Sequence, residues 1–208
     1  MEDVLDLYEE PYDPTRPVIC FDELPYQLVA ETRTPLAAKP GCPQRYDYEY
    51  ERKGTTNLFV FFEPKGGFRR VEVSERRTAK DFALAMKLLV DELYPQAEPI
   101  RLVLDNLNTH TGAAFYGAFE PSEARRILRK LEFHYTPKHA SWLNQVEIEL
   151  SVVHKQCLGG QRIPDEEMLG RYVGAWERER NERGATVEWR FTAEDARTKL
   201  ERLYPAYS

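Results

Sequence analysis

Apolar and polar positions recur along the chain with two periods, and the switches between them predict the order of elements. Pro17-Val18-Ile19-Cys20-Phe21 is an apolar run of strand length, closed by Asp22-Glu23. The proline-rich stretch from Leu24 to Pro43 reads as a loop. From Arg45 to Glu51 the period is two: Tyr46, Tyr48 and Tyr50 share one face, and Asp47, Glu49 and Glu51 the other. That is the pattern of a half-exposed strand. Gly54 reads as a turn, and Asn57 to Phe62 as a buried strand. Lys65-Gly66-Gly67 then turns into a strand from Phe68 to Val73, which completes a β-meander. The period now becomes helical. Thr78 is a candidate N-cap with Asp81 three residues on, and Phe82, Ala85, Met86, Leu89 and Leu93 form one face until Pro95 stops the run. Ile100 to Leu104 and Leu131 to Tyr135 are further strands, with short helices over 112–119 and 121–130 between them. Ser141 is expected to cap a helix from Trp142 to about Leu158. Helices over 165–182 and 193–203 follow, the second capped by Thr192.

The helix over 79–94 is a crossover, so the strand at 100–104 can run parallel to the strand at 17–21. The expected fold is α/β: a mixed central sheet, antiparallel meander plus parallel strands, flanked by helices. Composition agrees. With 208 residues, 42% hydrophobic and 31% charged, the chain is neither disordered nor collagenous. Its longest apolar run, Leu58 to Phe62, is far too short to span a bilayer. The first 25 residues hold eight acids and one arginine, the wrong sign for a targeting segment. Three scattered cysteines, Cys20, Cys42 and Cys157, fit a reducing cytoplasm. Residues 1–16 read as an acidic arm and 17–205 as one domain.

The net charge of −6 is local: residues 1–50 carry 11 acids and 4 bases, and the rest is near neutral. Within that body Arg69, Arg70, Arg76 and Arg77 cluster, as do Arg125, Arg126, Arg129 and Lys130. Each cluster reads first as a solvated face. For Arg125, Arg126, Arg129 and Lys130 the second reading is contact with DNA. Arg178, Arg180 and Arg183 read as a solvated helix end, with DNA contact as the lesser reading.

The candidate chemistry lies in Asp22 and Asp105, each at the carboxyl end of an apolar strand, where open α/β sheets build their sites. On neighbouring strands ~4.8 Å apart, the two carboxylates could share a divalent ion; without one they repel. A third acid comes from the helix after Trp142. Its apolar stripe is Leu143, Val146, Leu150, Val153 and Cys157, and Glu147 and Glu149 flank that stripe on opposite sides. Periodicity does not choose between them. Among His134, His139, His154 and Cys157 only His154-x-x-Cys157 has the spacing of a tight zinc-ligand pair, too little for a zinc site. Cys42 has no base nearby in sequence, and Gly66-Gly67 is not followed by a phosphate-loop Lys-Ser/Thr. Trp142, Trp176 and Trp189 read as core or helix-packing residues.

Three segments, taken together, resemble the bacterial insertion-sequence transposases of the mariner superfamily, which are DDE endonucleases. They are Cys20-Phe21-Asp22-Glu23, then Val103-Leu104-Asp105-Asn106-Leu107-Asn108-Thr109-His110, then Tyr135-Thr136-Pro137-Lys138-His139-Ala140-Ser141-Trp142-Leu143-Asn144-Gln145-Val146-Glu147. The resemblance implies a ribonuclease H-like fold and a catalytic, metal-holding triad of Asp22, Asp105 and Glu147, with Glu147 in the family's Leu-Asn-x-x-Glu segment. Asn106 and His110 are then expected to orient Asp105 or the scissile phosphate; for His110 a plain helix-terminal hydrogen bond is the alternative. The resemblance further implies two Mg2+ or Mn2+ ions, DNA cleavage and strand transfer at TA sites, and a homo-oligomer working on DNA in the cytoplasm at the nucleoid. The family's N-terminal helix-turn-helix modules are not found in this sequence, so a separate or frameshift-joined subunit is expected to supply them. The alternatives are a catalytically silent remnant or interaction fragment, or another ribonuclease H-like metal nuclease.

Overall fold

The computed structural model describes residues 1–204 except Gln44, Tyr46 and His139. Five strands form one sheet: β1 (Val18–Glu31), β2 (Tyr50–Glu63), β3 (Phe68–Ser74), β4 (Ile100–Leu104) and β5 (Leu131–Tyr135). Their order across the sheet is β3-β2-β1-β4-β5. β1 to β3 form the antiparallel meander, and β4 and β5 extend it in parallel. The parallel half is supplied by the crossover α2 (Ala79–Leu88), prolonged by a wider turn over Leu89–Leu93, and by α3 (Gly112–Ala118) and α4 (Pro121–Arg129). The expected Thr78–Asp81 capping box is present and starts α2.

Each strand face packs on helices, which explains why Leu58 to Phe62 is apolar at every position. Ile19, Phe21, Phe59, Phe61, Leu102 and Leu104 meet α2, α3 and α4. Cys20, Val60, Phe62 and Val103 meet the opposite layer. That layer holds α1 (Glu2–Glu9), α5 (Val146–Val153, prolonged over His154–Leu158), α6 (Glu166–Glu182) and α7 (Ala193–Lys199). Among the described residues no helix is long and apolar enough to cross a membrane.

Several expectations need correction. The acidic arm contains α1, whose Val4, Leu5, Leu7 and Tyr8 are buried in the core; its acids occupy the outer face and mask an amphipathic helix. The loop from Leu24 is strand as far as Glu31, because β2 starts at Tyr50 and pairs with it throughout. The strand expected over 45–51 is therefore only the start of β2, and Tyr46 lies outside the described residues. Tyr48 is exposed and belongs to the β1–β2 connection. Gly54 is no turn. It sits inside β2 at φ +106°, where the register shifts at Leu28/Val29, a bulge that its missing Cβ permits. Ser141 makes no cap: a single tight turn, Ser141–Leu143, precedes the break at Asn144, and α5 starts only at Val146.

Candidate active site

Asp22 is not at a strand end but inside β1. It lies two residues past Cys20, where the parallel pairing of β1 with β4 stops opposite Val103. Asp105 lies two residues past Val103, so the shared register puts the two aspartates side by side at the carboxyl edge of the parallel strands. The period of two turns Asp22 to the face of Cys20, toward the layer of α5. Glu147, half-buried in the first turn of α5, enters the same field.

The electrostatics of Asp22 follow from this crowding. Burial pushes its carboxyl up from the ordinary 3.8 to about 6, and Asp105, Glu147 and Glu23 add to the rise. The Glu23 N–H donates to Asp22 Oδ1 at 2.7 Å and opposes it. An acid whose folded value is raised binds its proton more tightly folded than unfolded, so this group lowers stability as pH rises from about 4 through 6. Metal-free Asp22→Asn should therefore be more stable than the wild type at pH 7.5, by roughly 1–3 kcal/mol. The gain should vanish below pH 4. Melting curves across that range check it, and a gain that does not vary with pH would refute the stated cause.

Asp105 is held from the other layer. His110 Nδ1 lies 2.7 Å from Asp105 Oδ1, and its Nε2 lies 3.2 Å from Glu23 Oε1. His110 is fully buried, with its ring 4.6 Å from that of Phe82. Burial alone would lower its pKa, but the bonds to Asp105 and Glu23 outweigh that and raise it to about 9. Carboxylates only accept, so an imidazolium that donates twice satisfies both. Of the two expectations for His110, the structure shows the contact with Asp105. Asn106 is exposed, in a cleft of about 360 Å³ lined also by Asp105, Leu107, Thr136, Lys138 and Ser141.

Two residues missed in the sequence brace the third acid. Asn144, nearly fully buried, donates through Nδ2 to the Phe21 carbonyl at 2.8 Å, next to Asp22. Tyr8 of α1 donates to the Leu143 carbonyl at 2.8 Å. Together they pin the entry to α5, and hence the backbone that carries Glu147. Asn144 stands in the Leu-Asn-x-x-Glu segment, so a signal was there; nothing in the sequence pointed to Tyr8.

Glu149 points elsewhere. It is 1% exposed, with Oε1 2.6 Å from an Arg180 guanidinium nitrogen and Oε2 3.3 Å from Arg69 Nε. The solvated-face readings of Arg69 and Arg180 are thereby corrected: Arg69 is fully buried and Arg180 mostly so. Arg125, Arg126, Arg129 and Lys130 are not brought to the site. They lie on or just after α4, where the Lys130 carbonyl accepts from the Ile100 N–H at the amino ends of β4 and β5. Arg126 is paired there with Asp91 and Glu123.

Hard carboxylate oxygens are the donors that Mg2+ and Mn2+ take. A half-buried Asp22 with two further acids in its field suits such an ion. Among the described residues, however, no three His, Cys, Asp or Glu side chains are drawn close enough together to hold one as they stand. His139, a candidate for zinc by residue type, lies outside the described residues.

The family model of the DDE superfamily endonuclease matches residues 17–170. The chain belongs to that family. Among solved structures, the Mos1 mariner paired end complex with Mn matches at TM-score 0.55 and 19% identity, over 88% of this chain and 55% of that one. The Mos1 Strand Transfer Complex matches at TM-score 0.57 and 19% identity, over 88% and 54%. The Mos1 transposase paired-end complex with left transposon end matches at TM-score 0.54 and 18% identity, over 88% and 57%. No curated protein matches this DDE endonuclease. It spans little more than half the length of the solved chains, and at such identity the likeness is one of fold, which is ribonuclease H-like.

Proposed function

We propose that this DDE endonuclease is the catalytic domain of a transposase that cuts and rejoins DNA, with Asp22, Asp105 and Glu147 as its catalytic, metal-holding carboxylates. The observation that carries the reading is the half-buried Asp22, its carboxyl raised by burial with Asp105 and Glu147 in its field. Two divalent ions, Mg2+ or Mn2+, would activate the attacking water or 3′-hydroxyl and stabilise the leaving oxygen in an in-line displacement. The chain's own residues orient these carboxylates. Asp22 is oriented by the Glu23 N–H, Asp105 by His110, and the start of α5 by Asn144. Asn106, exposed in the cleft beside Asp105, would meet the scissile phosphate.

By analogy with the Mos1 complexes, the substrate would be a transposon end held in a paired assembly; the resemblance to insertion-sequence transposases adds strand transfer into a TA dinucleotide. Helix-turn-helix modules, on a further segment or a separate subunit, would recognise the ends. A manganese-soaked crystal with anomalous data tests the reading. The expected result is a peak bound by Asp22 and Asp105 with Glu147 within reach. No peak, with the carboxylates still apart, would favour an interaction fragment.

The exposed Arg125 and Arg129, with Lys130, border a cavity of about 830 Å³ at the far end of the sheet. They are proposed as contacts to DNA flanking the cut. Arg125→Ala and Arg129→Ala should each lower the salt slope of DNA binding by about 1, and cleavage of bound DNA should be unchanged. An unaltered slope in filter-binding titrations would remove them from the interface. Arg126, already paired, should matter less.

A further inference from the structure

We propose that Glu23 is the residue that positions both catalytic aspartates, holding Asp22 through its backbone and Asp105 through His110. The inference rests on the metal-endonuclease reading of the site and adds to it a residue outside the triad. Consecutive strand residues face opposite ways, so Asp22 and Glu23 address opposite layers of the sheet. The Glu23 N–H donates to Asp22 Oδ1 at 2.7 Å. Its side chain, 3% exposed, runs to the other layer and meets His110 Nε2 at 3.2 Å. The other ring nitrogen of His110 reaches Asp105 Oδ1 at 2.7 Å. One residue thus connects two carboxylates that lie on different strands and repel one another.

Three features make this a positioning device and not a fourth ligand. First, the Glu23 carboxylate is buried and engaged by His110 on the face of the sheet away from α5, so although its charge is felt at Asp22 its oxygens are not offered beside those of Asp22 and Glu147. Second, the His110 ring has no freedom to turn. Phe82 lies against it at 4.6 Å, Phe21 is edge-on at 5.6 Å, and the His110 carbonyl accepts from the Tyr135 hydroxyl at 2.8 Å. Third, a buried carboxylate costs several kcal/mol unless it is bonded. The arrangement is therefore costly as packing alone, and it is explained by what it holds. A histidine bonded to a ligand carboxylate fixes which lone pair that carboxylate presents. Outer partners of this kind typically carry 10–100-fold in metal affinity.

The test uses the full chain and Mn2+ binding followed by electron paramagnetic resonance, which needs no DNA and no turnover. Glu23→Ala is expected to raise the Mn2+ Kd by about 10–100-fold. Glu23→Gln, whose amide oxygen can still accept from the ring, should recover much of the loss. Ile127→Ala, a core truncation on α4 far from the site, controls for general destabilisation and should leave Kd unchanged in the folded protein. A crystal structure of Glu23→Ala gives a second readout that does not depend on metal: the His110–Asp105 contact should lengthen beyond hydrogen-bond distance. Unchanged Mn2+ affinity in Glu23→Ala, a loss no larger than that of Ile127→Ala, or a His110–Asp105 contact kept at 2.7 Å would each overturn the role of Glu23. Wild-type protein that binds no Mn2+ would overturn the metal reading itself, and with it this role.

Discussion

Asp22→Asn, Asp105→Asn and Glu147→Gln should each reduce metal-dependent DNA cleavage by at least about 10²–10³-fold, the scale for losing one preorganised electrostatic contact. All three variants should remain folded. Each substitution keeps the shape of the side chain and removes one negative charge from a cluster that repels itself. For Asp22→Asn and Glu147→Gln the expected signature is therefore unusual: activity collapses while the melting temperature of the metal-free protein holds or rises, whereas Asp105→Asn also takes a charged partner from His110. Ordinary core substitutions lower both. Glu147 is the decisive member of the set. It stands half-buried on the first turn of α5, within the field of Asp22, whereas Glu149 is committed to two arginines. Cleavage of a supercoiled plasmid in Mn2+, normalised to folded protein, separates the two. Full activity in Glu147→Gln would remove the third acid from the proposal, and the reading would then need another carboxylate near Asp22.

Much of this site could be read in the sequence because its supports are local. The strands Ile100 to Leu104 and Leu131 to Tyr135 announce themselves as short, mostly apolar segments between helices, and the Thr78 and Thr192 caps carry their acids three residues on. What escaped is non-local. Nothing around Leu24 to Glu31 shows that a partner strand begins at Tyr50, so prolines and polar residues suggested a loop. The long strand is stabilised by pairing, which propensity does not record. Periodicity left Glu147 and Glu149 equivalent because both flank the same stripe. The choice between them depends on Arg69, 80 residues away on β3, and on Arg180 on α6. In the same way Glu23 looked like the end of a strand until His110 was found against it. Charge was the most misleading guide. The acids of α1 concealed a core helix, and two arginines assigned to solvent proved to be the buried or nearly buried partners of one glutamate.

Glu149→Ala should destabilise the protein by about 3–5 kcal/mol, the usual cost of removing one member of a buried ion pair. For a chain of this size that lowers the melting temperature by roughly 6–20 °C. The cause is what would be left behind. Arg69 is fully buried, with its guanidinium donating to the Ala185 carbonyl at 2.6 Å and the Gly67 carbonyl at 3.0 Å, and lying 5.1 Å from the centre of the Phe62 ring. Without Glu149 it loses the carboxylate it touches, with only Glu177 left acting on it from further off, and Arg180 loses its 2.6 Å partner as well. Glu149→Gln keeps an acceptor but not the charge, so it should fall between the alanine variant and the wild type. Combining Glu149→Leu with Arg69→Met should recover stability relative to Glu149→Ala, because exchanging a whole buried pair for apolar groups is far less costly than breaking it. Measured well below the melting transition and per folded molecule, cleavage by Glu149→Gln should stay within tenfold of the wild type. Melting curves that show no loss in Glu149→Ala would mean the arginines find water or other acceptors. The buried triplet would then not be what fastens α5 to β3 and α6.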